Sequence, residues 1–422
     1  VLGKPTTVCL ESQLPSQTAR PPIDAMPQST NPAIDSKLAL QHVMKLMAIS
    51  GKSGQESQAA DYVTQALLKA GAAPASIESD AAHRRSPNGG ECGNLVIKLP
   101  GTVRAPRRML SAHLDTVPIC VGSEPRRKGQ LVRSANPATG LGADNRAGTA
   151  VLLSTALHLL RHQLPHPPLT FCWFVQEETG LLGARHVSKG LLGNPKLAFN
   201  WDGGGATKLT IGATGGYRLR IEIDGLASHA GGAPEKGISA ISIAALAIAD
   251  LQQNGWHGLI RKGNHEGTSN VGFIEGGEAT NVVTDHVAIR AEARSHHPGF
   301  RKRIVTQIEK AFHKAVKQVK SSEGKTGQVR IEGRLDYESF RLSTREPCIQ
   351  AAQDAVQSLG HQAVLAIANG GLDANWTTRH GIPTVSLGCG QANAHTVSES
   401  LDIREYQLAC QIALQLATQI EN

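Results

Sequence analysis

Five side chains of this sequence have the types and positions to do chemistry together: His113, Asp144, Glu178, Asp202 and His395, with Asp115 and Glu177 beside two of them. Short apolar runs precede most of the set. His113 and Asp115 follow Met109 to Ala112, Glu177 and Glu178 follow Phe171 to Val175, Asp202 follows Phe199 to Trp201, and His395 comes after Pro383 to Leu387. Asp144 stands in a Gly-rich turn that opens the helical stretch Ala147 to Leu160. Each residue alone has an ordinary explanation. A histidine among 17 is usually hydrogen-bonded or solvated, a carboxylate at a strand end is usually a cap, and adjacent glutamates usually mark a solvated turn. Four strand ends that deliver only His, Asp and Glu are different, because the carboxyl ends of strands are where open α/β sheets place their ligands.

Two imidazoles and three carboxylates without a thiolate suit divalent ions: zinc first, then cobalt or manganese. Five ligands exceed the needs of one open catalytic zinc. Two ions sharing one bridging carboxylate would use them all, and a bridging water would then supply hydroxide near neutral pH. Asp115 stands two residues after His113, so in an extended chain both point the same way and the carboxylate can take the imidazole's other N–H. Glu177 and Glu178 point in different directions, which lets one bind metal while its neighbour carries a proton.

The elements that must position these groups read as an α/β framework. From Ser36 apolar residues recur at helical spacing (Leu38, Leu40, Val43, Met44, Met47). A second helix follows a Ser53-to-Glu56 capping box with Ala59, Tyr62, Val63, Ala66 and Leu67 on one face. The runs 94–99, 108–112, 169–175, 197–201 and 383–387 are apolar on both faces, as buried and mostly parallel strands of a helix-flanked central sheet should be. Between about Gly215 and Leu342 the order changes to strand (217–224), helix (238–252), strands (269–274 and 282–294), a helix striped by Ile304, Ile308, Phe312, Ala315 and Val319, and a last strand (328–337). That βαββαβ order is the split, ferredoxin-like unit. The expected organisation is a disordered or extended tail over 1–35, one domain from 36–214 and 343–422, and an inserted domain over 215–342.

Bulk properties narrow the class. With 422 residues, 40 % hydrophobic, 44 glycines and few aromatics, the chain has the make-up of a globular enzyme. The seven cysteines are scattered without a CxxC pair, as reduced thiols of a cytoplasmic protein would be. No apolar window approaches eighteen residues and no signal-peptide pattern is present, so no membrane role is expected. The net charge of +8 is dispersed over short basic groups (104–108, 126–128, 301–303) without interleaved aromatics, which argues against nucleic acid.

Eight segments in order carry a resemblance: SAHLDTVP (111–118), GADNRAG (142–148), QEETGLLGA (176–184), DGGG (202–205), SHAGGAPEKGISA (228–240), EATNVVTDHVAIRAEARS (278–295), GGLDANWTTRHGIPTVSLGCG (370–390) and AHTVSE (394–399). Together they resemble the di-zinc metallopeptidase family of aminoacylase, glutamate carboxypeptidase and peptidase T, most closely its peptidase T-like branch, from about residue 36 to the end.

The resemblance implies that Asp144 bridges two metal ions, that His113 and Asp202 complete one site, and that Glu178 and His395 complete the other. It makes Glu177 the general base and acid, with Asp115 orienting His113. The inserted domain becomes a lid through which two subunits pair. His229 of that lid would reach the partner's active site, while Arg294 and Asn281 would hold a substrate carboxylate beside Gly370 and Gly371. Relatives often have Asp after the bridging aspartate where this chain has Asn145, and the bond joining the two is commonly cis. The implied activity is hydrolysis of a peptide bond in short peptides. An N-acyl-amino-acid amidohydrolase or carboxypeptidase on the same site is the alternative, and an inactive metal- or peptide-binding module is the non-enzymatic one.

Overall fold

The computed structural model describes residues 33–419, so the expected tail lies almost wholly outside the described residues. The runs that are apolar on both faces form the middle of a nine-stranded sheet. Leu169–Phe174, Arg108–His113, Leu197–Trp201 and Thr384–Leu387 lie side by side in that order, all parallel, and the first three are buried along their whole length. Outward from this parallel centre, Leu95–Leu99 and then Ile77–Ser79 continue antiparallel on one side. On the other side Lys208–Ala213 pairs antiparallel with Thr384–Leu387 and carries both Val364–Ala368, in parallel, and Phe340–Arg341. Lys208–Ala213 escaped the sequence reading, since its Gly and Thr weaken the apolar signal.

Helices cover both faces, as burial of such a sheet requires. The central one, Ala143–His162, packs on the strand Arg108–His113 and against the helices Ser36–Ala48 and Ile403–Thr418. Its residues are buried nearly all round, so it is a core helix with little amphipathic character. The helix Ser57–Lys69 buries Ala59, Val63 and Leu67, on the expected face, but its start differs from the expected capping box. Glu56 takes the cap position without a side-chain cap bond. Its carboxylate accepts from the backbone of Gly54 (2.7 Å) and Gln176 (3.0 Å), and Ser53 donates to Asp115 instead. The spacing was that of a cap, but tertiary partners claim both side chains.

The segment from Gly215 to Tyr337 forms a separate antiparallel sheet with its own apolar core. The order across it is Gly258–Lys262, His265–Glu275, His286–Ser295, Gly215–Asp224, Gln328–Tyr337. Without its first strand this is the βαββαβ arrangement. That edge strand was missed in the sequence because GLIRK is short and half polar, and the strand expected from Val282 begins at His286. The helices Ala240–Gln253 and Pro298–Gln318 lie on one face. Leu219, Ile221, Ile223, Val287 and Ile289 point into them, whereas Arg218, Arg220 and Arg290 alternate onto the opposite, open face.

The chain passes between the two sheets near Thr214 and again near Glu338. The side-chain amide of Asn375 donates to both carbonyls, at 3.0 Å and 2.7 Å. No helix among the described residues is long and apolar enough to cross a membrane.

Candidate metal centre

His113 is the last residue of its strand and is 1 % exposed. Its Nδ1 faces Asp115, 3.1 Å from the backbone carbonyl and 3.3 Å from Oδ1, which leaves Nε2 to look across the strand end. There it lies 3.4 Å from Oδ1 of Asp144 and 4.0 Å from Glu177. The other oxygen of Asp144 is 3.3 Å from Nε2 of His395, and that same nitrogen is 3.0 Å from Glu178. One carboxylate thus faces two imidazoles with different oxygens. Two groups, His113–Asp144–Glu178 and His113–Glu177–Asp202, each offer ligand atoms within 4.8 Å of one another.

Local sequence explains the placements. Asp144 and Asn145 interrupt helical geometry at the start of Ala143–His162, and the bond between them is cis. Asn145 donates to the carbonyl of Trp201 (2.7 Å) and accepts from Gly148 (2.9 Å). Gly148 has to be glycine, since a Cβ there would lie 2.4 Å from both Asn145 Oδ1 and Trp201 O. Asp202 follows its strand and accepts from Gln391 at 3.0 Å. His395 sits half-exposed at the rim with φ +66°, a left-handed conformation of the kind found where function fixes a backbone.

Asp144, Glu177, Glu178, Asp202 and His395 line a cleft of about 290 Å³. Its opposite wall comes from the five-stranded sheet: Arg294, Arg218 and Tyr337. Gly370 and Gly371 complete it, and a Cβ at Gly371 would lie 2.6 Å from the Tyr337 ring. Arg294 is held by Glu292 through two hydrogen bonds of 2.9 Å and 3.0 Å. His229 and Asn281 are not among the lining residues. They sit together on neighbouring loops, where the Ala230 N–H donates to the Asn281 carbonyl and the exposed His229 accepts from Gly231 and Gly232 through Nδ1.

Residues 109–419 match the peptidase family M20/M25/M40. The chain belongs to that family. A tripeptidase from Staphylococcus aureus superposes with TM-score 0.81 at 29 % identity, covering 92 % of this chain and 99 % of the other. An aminopeptidase PepT from Bacillus cereus gives 0.77 at 30 %, covering 91 % and 98 %. The protein YqjE of Bacillus subtilis is 29 % identical over 373 residues, 88 % of this chain and 95 % of its own. As a member of the M20/M25/M40 family the chain is a metallopeptidase, a hydrolase of peptide or amide C–N bonds, and the peptidase T-like resemblance is upheld.

The electrostatics of the M20/M25/M40 site follow from crowding acids into a buried space. Burial, reinforced by Glu178, Asp202 and Asp373, pushes Glu177 well above the usual carboxylate range despite His113. Burial raises Glu178 to about 7 against the pull of His395, and raises Asp202 to about 6 with help from Asp144. For Asp144 burial is outweighed by hydrogen bonds with His113 and His395, so its carboxyl stays ionised well below the normal range. Hydrogen bonds to Asp144 and Glu178 lift His395 to about 10. For His113, burial alone would lower the pKa, but Glu177, Asp115 and Asp144 carry it well above.

Several supports were missed in the sequence. Glu399 accepts from the backbone of Gly142 (2.7 Å) and Asp144 (2.9 Å), fixing the turn that presents Asp144. Asp115 accepts from Ser53 (2.6 Å), Glu177 (3.0 Å) and Glu178 (3.1 Å), so one buried carboxylate ties together the ends of two strands and a distant loop. Asp373 is 1 % exposed, and among the described residues neither of its oxygens has a hydrogen-bond partner. The only sequence signal for Glu399 and Asp373 was their place in the segments AHTVSE and GGLDANWTTRHGIPTVSLGCG, Ser53 signalled a helix cap, and Gln391 carried none.

Proposed function

We propose that this chain hydrolyses a peptide bond near the free amino end of short peptides, using two divalent metal ions, zinc in the first place and cobalt or manganese as substitutes. The carrying observation is Asp144, whose two oxygens face His113 at 3.4 Å and His395 at 3.3 Å. A carboxylate so placed can be shared by two cations. The donor set fits zinc: imidazole and carboxylate, buried carboxyls that repel one another without a cation, and His113 already oriented by Asp115. His113, Asp144 and Asp202 would hold one ion and Asp144, Glu178 and His395 the other.

When bound, the two cations would polarise the scissile carbonyl and make water acidic near neutral pH. Glu177 accepts the proton of the attacking water as its oxygen bonds to the carbonyl carbon, then delivers that proton to the amine as the C–N bond breaks. Arg294, with Gly370 and Gly371, receives the substrate on the opposite wall. The segment 215–342 acts as a lid and pairing domain of a cytoplasmic homodimer, in which His229 and Asn281 serve the partner's cleft. Their position away from the cleft of their own chain supports that reading.

The test is a panel of free and N-acetylated tripeptides, dipeptides and N-acyl amino acids, assayed after chelator treatment and after reloading with zinc, cobalt or manganese. Free tripeptides should be cleaved after the first residue, only in the reloaded protein. Turnover confined to N-acyl amino acids, or indifferent to chelation, would overturn the assignment.

A further inference from the structure

The open face of the five-stranded sheet continues away from the metal cleft as a concavity of about 840 Å³. Arg218 lines both the cleft and this concavity. Strand pairing arranges the face in rows. Nearest the cleft, Arg294 stands opposite Gly216; two residues further, Glu292, Arg218 and Arg334 stand side by side; two further again come Phe273, Arg290, Arg220 and Glu332. Successive rows lie about 7 Å apart at strand spacing.

The cations of these rows differ in how they are held. Arg218 and Arg334 share one buried acid, Asp336, at 2.5 Å and 3.1 Å, and Arg220 lies on Glu222 at 2.6 Å. Arg290 is exposed, with its guanidinium 3.8 Å from the centre of the Phe273 ring, and among the described residues no ion pair accompanies that contact. A guanidinium held over a phenyl ring by its π-face keeps N–H donors available for a carboxylate. Glu332, the one acid of that row, lies on the outermost strand, so the row is basic over its two inner strands.

We infer that this sheet face is an extended subsite for the downstream part of longer peptide substrates, and that it selects tails bearing carboxylates. The inference rests on the peptidase reading above. With Arg294 receiving the substrate as proposed above, a tripeptide would end near it. Arg290 and Arg220 lie about 14 Å beyond, a distance that about four more extended residues would span. The occupant is peptide because the concavity runs directly out of the cleft through Arg218. It is acidic because Arg290, held only over the Phe273 ring among the described residues, and the paired arginines offer donors, and because a chain of net charge +8 attracts acidic ligands at a distance.

The experiment uses seven-residue peptides that begin Gly-Gly-Gly and end in four residues rich in Asp/Glu, Ser or Lys, each with a C-terminal fluorophore. Binding is read by anisotropy on the chelator-treated full chain, and kcat/KM on the reloaded enzyme. The acidic tail should bind about tenfold tighter than the basic one at low ionic strength, the gap closing as salt screens it. In the double variant Arg290→Glu, Arg220→Glu the ratio should fall to one or invert. Taking the ratio within each protein cancels any general loss. Equal binding of the three tails by the unaltered protein, or a ratio untouched in the double variant, overturns the subsite. If the binding ratio holds but no peptide is cleaved, the peptidase reading falls and the acidic-peptide site stands; cleavage without charge preference has the reverse meaning.

Discussion

Replacing Asp115 by Asn removes one charge and changes one oxygen to an amide nitrogen in a side chain that is fully buried. Oδ1 faces Glu177 N–H and His113 Nδ1, while Oδ2 receives Ser53 and the Glu178 N–H. The amide will keep its oxygen toward Glu177 and His113, so its NH₂ meets two donors. Ser53 can rotate its hydroxyl to accept, but the Glu178 N–H cannot, and an orphaned buried N–H costs about 1–3 kcal/mol. Loss of the charged acceptor at His113 adds about 1 kcal/mol. The displaced groups are the two that present His113 and Glu178, so zinc affinity should fall about 10–100-fold, the usual consequence of removing such a support.

The assay is competition with a chromophoric chelator, alongside kcat/KM at saturating metal. The sign of the pH effect is also fixed. His113 in the metal-free protein holds its proton partly through Asp115, and without that carboxylate its pKa drops, so proton competition weakens and the affinity loss is smallest at acid pH. Zinc affinity within threefold of the unaltered protein at every pH would refute the idea that Asp115 sets the ligands.

Glu177→Gln should lower kcat about 10²- to 10⁴-fold with zinc binding changed only a few-fold, and loss of one zinc equivalent by elemental analysis would instead make Glu177 a ligand. Because Glu177 has a raised folded-state pKa, its ionisation destabilises the metal-free fold above the carboxyl's ordinary pKa near 4.3; the neutral amide should therefore give an equal or higher Tm at pH 7. Metal binding must expel protons from His395, raised to about 10, and Glu178, raised to about 7, so zinc affinity should rise at least about tenfold per pH unit between pH 6 and 8. Calorimetry in buffers of different ionisation enthalpy would count those protons, and none released would contradict the ion-pair network.

The parallel centre of the fold could be read from the sequence because its strands are apolar on both faces, and the candidate ligands stood out because all but Asp144, which opens a helix, come after such a run. His113 at the end of RMLSAH and Asp202 after LAFNW need no knowledge of distant partners. What stayed hidden depends on long-range contact. Ser53 and Glu56 have the spacing of a cap, and only Asp115 and Gln176, more than 60 residues away, decide otherwise. Glu399 and Gln391 are isolated polar residues whose roles exist only once Gly142, Asp144 and Asp202 are folded against them. Lys208–Ala213 and Gly258–Lys262 are strands by virtue of their neighbours, with too little apolar pattern of their own.

Asn375 gives both hydrogens of its side-chain amide to the two carbonyls where the chain departs for the arginine-bearing sheet and comes back, and its oxygen accepts from Leu372 N–H. Were that sheet to rock over the carboxylates, this amide would stand at the axle, and the stretch from Gly370 to Leu372 would be geared to it through the Leu372 bond. The gap into which a substrate slides and the loop that greets it would then widen and narrow in step. Asn375→Asp would remove both donors while keeping the bulk and the acceptor for the Leu372 N–H, and so would free the two crossings without changing a side chain that lines the cleft.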